Sequence, residues 1–133
     1  MQNHQKYSNI YIFTGCSTIN VNLRNEVLDS FGLLNGNYQI ATNVNGKPSW
    51  KNAAYAIWYV QTYNVWSIGF LREIGNDASY LSATNDFSGI TDNDNQWQYW
   101  SLYGFGWIYP SDPTDIQITC MDGKYTLFTI LLY

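Results

Sequence analysis

Along most of this chain, apolar and polar positions alternate with a period of two, and the alternating runs are parted by Asn-Gly, Asp-Gly and other glycine-bearing steps. A period of two puts successive side chains on opposite faces of an extended strand, whereas an amphipathic helix needs apolar residues three and four apart. Only "NLRNEVLDSFG" carries the second pattern. There Leu23, Val27, Leu28 and Phe31 share one helical face, with Asn22 placed to cap the start and Gly32 to close the end. The pattern predicts one short helix over 23–31 in an otherwise β chain.

Several strands and reversals follow from the same reading. "AAYAIWYVQTYNVWSIGFLREIG" predicts two strands joined near Gln61–Asn64, with Trp66, Ile68 and Phe70 along one face. "DIQITCMDGKYTLFTI" reads as a hairpin around Asp122-Gly123, a dipeptide suited to a type I′ turn. Asn35-Gly36 and Asn45-Gly46 are each able to reverse the chain, and residues 75–96 read mostly as loop. Strand signals return about every ten to twelve residues, the rhythm of a sandwich or barrel. The fold expected is all-β: a single-domain antiparallel sandwich or small barrel spanning 1–133, with residues 1–8 as a frayed N-terminal tail.

The two ends depart from clean alternation. In "NIYIFTG", Tyr11 and Phe13 oppose Ile10 and Ile12; in "YTLFTILLY", Phe128, Ile130 and Leu132 oppose Leu127, Leu131 and Tyr133. Strands apolar on both sides are either central in a layered fold or covered by another chain. The second alternative makes the terminal strands a surface for homo-oligomers.

"QWQYWSLYGFGWIYP" at 96–110 holds seven aromatic residues in fifteen positions. One straight strand from Trp97 to Tyr109 would run ~43 Å, longer than a domain of this size is thick. A bend is therefore expected at Gly104 and Gly106. It leaves Trp97, Tyr99 and Trp100 mostly in the body of the sheet, and Trp107 and Tyr109 near a surface.

Composition narrows what such a surface can do. Charged residues are 12% of the chain and aromatics 18%, so amides and hydroxyls supply most of the polar surface. A net charge of −4 with six Lys and Arg cannot neutralise a phosphate backbone, which argues against nucleic acid and against an anionic membrane surface. No apolar run reaches the ~18–20 residues of a spanning helix. The opening "MQNHQKYSNIYIFTGC" does not read as a signal peptide, which leaves a cytosolic chain or one whose leader has been removed. Exposed rings beside Asn, Asp and Gln suit sugars, because the apolar face of a pyranose stacks on a ring while amides and carboxylates fix its hydroxyls. Trp107 and Tyr109 are the candidate stacking rings, with Asp92, Asp94 and Asn95 as polar partners.

Catalytic and metal chemistry find little support. His4 is the only histidine and falls in the tail, which removes histidine triads and histidine-held metals. Glu73 with Asp77, or Glu26 with Asp29, are the carboxylates a glycosidase would draw on, but their spacing fixes no distance and they read as surface charges. The chain is therefore taken as non-enzymatic. "TDNDN" at 91–95, with Asp86, is the densest oxygen cluster. Asp86, Asp92 and Asp94 are weak candidate calcium ligands, since the D-x-[DN]-x-[DN]-G order is missing and a solvated turn is the plainer reading. No other cofactor is implied.

Cys16 and Cys120 allow two readings, buried thiols or a bridge. A disulfide is favoured because each cysteine abuts a β-like segment. It would close a loop of about 100 residues and contribute ~4–5 kcal/mol by constraining the unfolded chain.

The ordered series Cys16-x-x-Ile19-x-Val21, Asn35-Gly36-x-Tyr38, Val44-Asn45-Gly46-Lys47-Pro48-x-Trp50, Ala56-Ile57-Trp58-Tyr59, Trp66-x-Ile68-Gly69 and Ile118-Thr119-Cys120 resembles a tryptophan-rich module of secreted or surface proteins in protists and aquatic animals. The resemblance implies an extracellular or cell-surface, non-catalytic setting of adhesion or scaffolding. Two functions are expected from the whole. One is a binding module that recognises a glycan or polysaccharide; the other is a self-assembling subunit of a filament, sheath or matrix.

Overall fold

The computed structural model describes residues 6–12, 16–83, 90–91, 96–101, 104, 106–122 and 126–132, the first and last of these segments as backbone. Eleven strands and one α-helix follow one another as β1 (Lys6–Ile12), β2 (Thr18–Leu23), α1 (Asn25–Phe31), β3 (Gly36–Ile40), β4 (Trp50–Lys51), β5 (Tyr55–Val60), β6 (Val65–Phe70), β7 (Leu81–Ala83), β8 (Trp97–Ser101), β9 (Gly106–Ile108), β10 (Ile116–Cys120) and β11 (Thr126–Leu132). Nine of them form one antiparallel sheet in the order β10-β2-β3-β4-β5-β6-β7-β8-β9. The expected all-β fold with one short helix is realised as a curled half-barrel.

The curl follows from chain length. β9 and β10 are the two edges of the sheet, yet only residues 109–115 join them. Laid flat, eight interstrand steps of ~4.8 Å would separate those edges by ~38 Å, and the link reaches at most ~29 Å. The sheet has to bend until its edges approach. Helix α1 lies beside this link: Arg24 N–H donates to the Asp115 carbonyl at 2.9 Å, Asn25 Nδ2 to Asp115 Oδ1 at 2.9 Å, and Ser111 N–H to Glu26 Oε1 at 3.0 Å. Seven residues are too few for a helix stable by itself. Burial of Val27 and Phe31, one helical turn apart, and of Leu34 just beyond holds it against the sheet.

The concave face carries the main core. Ile19, Val21 and Leu23 alternate inward along β2, and Tyr38, Trp50, Ile57, Tyr59, Trp66, Ile68, Leu81, Trp97 and Tyr99 continue the layer. A smaller cluster occupies the convex face of β5, where Ala56, Trp58 and Val60 are covered by Val44, Val65, Leu71 and Ile74. Gly69 makes that cover possible, since a Cβ there would stand 3.1 Å from the Ser79 backbone and 3.2 Å from the Trp58 ring.

Local expectations are met in several places. β5 and β6 are joined at Gln61–Asn64. Asn45 (φ 54°) and Gly46 (φ 80°) hold a tight reversal between Val44 and Lys47, with positive φ at both central positions as a type I′ turn requires. Cys16 and Cys120 are disulfide-bonded.

Other expectations are corrected. β10 and β11 do not form a hairpin: β10 pairs with β2, and β11 pairs with β1 in a separate two-stranded sheet. The Asp122 carboxylate is spent elsewhere, accepting the N–H groups of Ser17 and Thr18 at 3.0 and 3.2 Å and the Ser17 hydroxyl. The terminal strands are therefore not central in the large sheet, and Lys6–Ser8, expected in a frayed tail, open β1. The β1–β11 register lies one residue out of step with the β2–β10 register, so neither pairing is a simple continuation of the other. The helix cap is not Asn22; it is Arg24, whose side chain makes no capping bond. Within 75–96, Leu81–Ala83 forms β7, wedged between longer neighbours that supply its pairing on both sides.

Candidate functional site

The candidate site lies at the β8–β9 edge. Where a bend at Gly104 and Gly106 was expected, the aromatic stretch doubles back completely: β8 ends at Ser101, Gly104 lies in the turn, and Gly106 already opens β9. Odd-numbered residues of β8 face even-numbered ones of β9, as in Tyr99↔Ile108, and even-numbered ones face odd, as in Trp100↔Trp107. Paired residues share a face, so the odd-numbered ring series changes sides at the turn. Trp97 and Tyr99 are buried in the concave core, while Trp107 stands with Trp100 on the other face.

Trp107 is 38% exposed and Tyr109 52%. Trp100, half-buried, meets Trp107 edge-on, with centroids 5.6 Å apart and planes at 78°. An edge-to-face contact holds a ring firmly without covering it. Gln98 lies on the same side of β8 as Trp100 and is half-buried. Neither Trp100 as a prop nor Gln98 as a polar neighbour was singled out from the sequence. The signal that finds both is the cross-strand register, which is set by the turn and not by the alternation alone. The remaining proposed contacts, Asp92, Asp94 and Asn95, and the calcium candidate Asp86, lie outside the described residues.

Several carboxylates elsewhere are engaged in structural bonds. Asp112 accepts from Thr114 N–H at 2.9 Å and from its hydroxyl at 2.8 Å, bonds that hold its carboxyl below the usual aspartate range. Asp122 is likewise lowered, first by the Ser17 hydroxyl and then by Thr18 N–H. Glu26 faces the Tyr99 hydroxyl, whose pKa is raised first by burial and then by this carboxylate. Glu73 accepts from Asn76 Nδ2 at 3.2 Å and sits 4.0 Å from Arg72 Nε. Among the described residues, the one group spaced to hold a metal is Cys16, Cys120 and Asp122. Both of its sulfurs are spent in the disulfide, which leaves no thiolate to bind an ion.

No family model matches the chain, and no curated protein or solved structure matches it. Among the described residues, no helix is long and apolar enough to cross a membrane.

Proposed function

We propose that the protein is a non-catalytic binding module, working outside the cell or at its surface, that recognises carbohydrate by stacking sugar rings on the β8–β9 edge. The observation that carries this reading is the exposure of Trp107 and Tyr109 beside a propping Trp100, in a chain whose other Trp side chains are mostly covered. Folding gains nothing from an indole left in water, whereas a sugar face docked on it removes apolar area from both partners. The engaged state of Glu26, Glu73, Asp112 and Asp115 supports a binding role over a hydrolytic one. The disulfide suits an oxidising compartment. Retention of the purified protein on a polysaccharide resin, its release by free sugar and the loss of retention in Trp107→Ala test the reading. Failure to be retained by any member of a broad glycan panel sinks it.

One observation favours a second reading, a self-assembling structural subunit. Among the described residues, β1 and β11 are laddered to each other and to no strand of the nine-stranded sheet, so each shows one unpaired edge there. Two-stranded ribbons are marginal alone in water, and copies that pair along such edges complete one another. Negative-stain imaging should then show concentration-dependent polymers that disappear when Leu127–Tyr133 is deleted.

A further inference from the structure

Asp122 places one carboxylate oxygen against both sulfurs of the bridge. Its Oδ1 lies 3.6 Å from Cys16 Sγ and 3.7 Å from Cys120 Sγ. On a tetrahedral zinc ion, Zn–S bonds of ~2.3 Å and Zn–O bonds of ~2.1 Å set a sulfur and an oxygen ~3.6 Å apart. Both sulfur–oxygen edges of such a site are therefore in place, and the edge that differs is the one closed by the covalent bond. The carboxylate is aimed by outer hydrogen bonds, as metal-binding carboxylates are. Oδ1 accepts Ser17 N–H at 3.0 Å and Thr18 N–H at 3.2 Å, and Oδ2 accepts the Ser17 hydroxyl.

The three residues are also gathered by bonds other than the bridge. The Cys16 carbonyl accepts Nε1 of the buried Trp50 at 2.6 Å, and the Ser17 carbonyl accepts Ile40 N–H at 2.8 Å. Cys120 ends β10 opposite Ile19, and Met121 N–H donates to the Thr18 carbonyl at 2.9 Å. Breaking the S–S bond therefore frees two side chains on a backbone that is pinned independently. Each sulfur lies against a carbonyl, Cys16 against Thr18 and Cys120 against Asp122, which gives a free thiol its acceptor. The group is open on one side: Cys16 is buried, Cys120 half-buried and Asp122 exposed, so an ion and its water arrive without crossing the core.

We propose that reduction of Cys16–Cys120 turns the bridge into a zinc site, with both thiolates and the Asp122 carboxylate as ligands and water in the fourth position. Two thiolates with one carboxylate select zinc over calcium or magnesium, which take oxygen alone. A dithiol supplies the two electrons: the S–S bond breaks, two S–H bonds form, and the reductant closes its own disulfide. Zinc then takes both sulfurs as thiolates, and their two protons leave to solvent. The bridged form suits an oxidising compartment and the zinc form a reducing one. The site is separate from Trp107 and Tyr109, and it does not rest on the polysaccharide reading.

The whole chain, reduced with a phosphine and freed of reductant and metal under argon, provides the test by titration with zinc against a chromophoric chelator. The reduced protein should take up one zinc per chain and the bridged protein none. Asp122→Asn, which keeps the side-chain shape but removes the charge, should weaken zinc binding at least tenfold. Because zinc binds only the reduced form, free zinc at 100 times its Kd should raise the dithiol-to-disulfide ratio about hundredfold in a redox buffer of fixed poise. Should Asp122→Asn fail to fold, that shift decides alone. The Trp50 indole ¹H–¹⁵N resonance, held by the Cys16 carbonyl, should persist at its place on reduction. Four results overturn the proposal: no zinc uptake by the reduced chain, equal uptake by the bridged chain, unchanged affinity in Asp122→Asn, or loss of the Trp50 resonance on reduction, which would mean that the bridge alone gathers the residues. A protein that binds zinc when reduced but no polysaccharide when bridged retains this site and loses the surface reading.

Discussion

Two aromatic hairpins of the same sheet use their rings in opposite ways. In the middle, β5 and β6 bury rings on both faces: Tyr59 and Trp66 toward the concave core, Trp58 toward the convex cluster. At the edge, β8 buries Trp97 and Tyr99, and β9 leaves Trp107 and Ile108 exposed. Residue type does not separate the two, since both are rich in Trp and Tyr. What separates them is cover on the second face. Val44 and the Leu71–Ile74 segment lie over the middle hairpin, and among the described residues the last strand of the sheet has a neighbour on one side only. A ring is hidden by what lies over it, and a sheet edge is where cover runs out.

The contrast can be broken most forcefully from its middle. Trp58→Ala should lower stability by ~3–5 kcal/mol in a urea titration, because it empties the convex cluster and leaves the Asn76 carbonyl without its donor. Gly69→Ala should cost ~1–3 kcal/mol by forcing the Trp58 ring and the Ser79 backbone apart. At the edge the numbers shrink. Trp100→Ala removes an edge-to-face contact of ~0.5–1.5 kcal/mol and should reduce glycan retention by letting Trp107 turn. Trp107→Ala removes that same contact and little else, so it should cost no more than ~1.5 kcal/mol in stability while abolishing retention. A large loss of stability in this last variant would mean that the edge ring belongs to the core after all.

The smallest effect is expected away from both hairpins. The Asp122 carboxyl is lowered in the folded state, so its contribution is complete above the ordinary aspartate value of ~3.9 and fades as the pH falls through the lowered value. An acid titration followed by the Ser17 and Thr18 amide resonances should show both released together below about pH 4. Asp122→Asn should abolish that step.

Sequence reading reached what is written locally. The Asn45-Gly46 reversal, the β5–β6 hairpin and the bend at Gly104 and Gly106 each rest on a few adjacent residues whose conformational preferences agree with the fold. It failed where distant partners compete. Asp122-Gly123 looks like a hairpin turn, but β10 finds β2 and β11 finds β1, each roughly a hundred positions away, and no local preference records that choice. β7 is three residues long and exists because β6 and β8 flank it. In the candidate site, the exposure of Trp107 and Tyr109 was legible from the length of the aromatic run. The support from Trp100 was not, because it depends on a one-residue choice of register.

The Cys16–Cys120 bridge also decides how the molecule answers to being pulled. Lys6 and Leu132 lie opposite each other at the far end of the β1–β11 ladder, so tension between the two would open seven residue pairs one after another. The parting chains would then reach a covalent bond whose Cα atoms are 5.4 Å apart, and the load would pass through sulfur at Cys120, the last residue of β10, instead of through the hydrogen bonds of the nine-stranded sheet. A molecule tethered by both ends would lengthen by a fixed amount and stop, with its aromatic edge still intact.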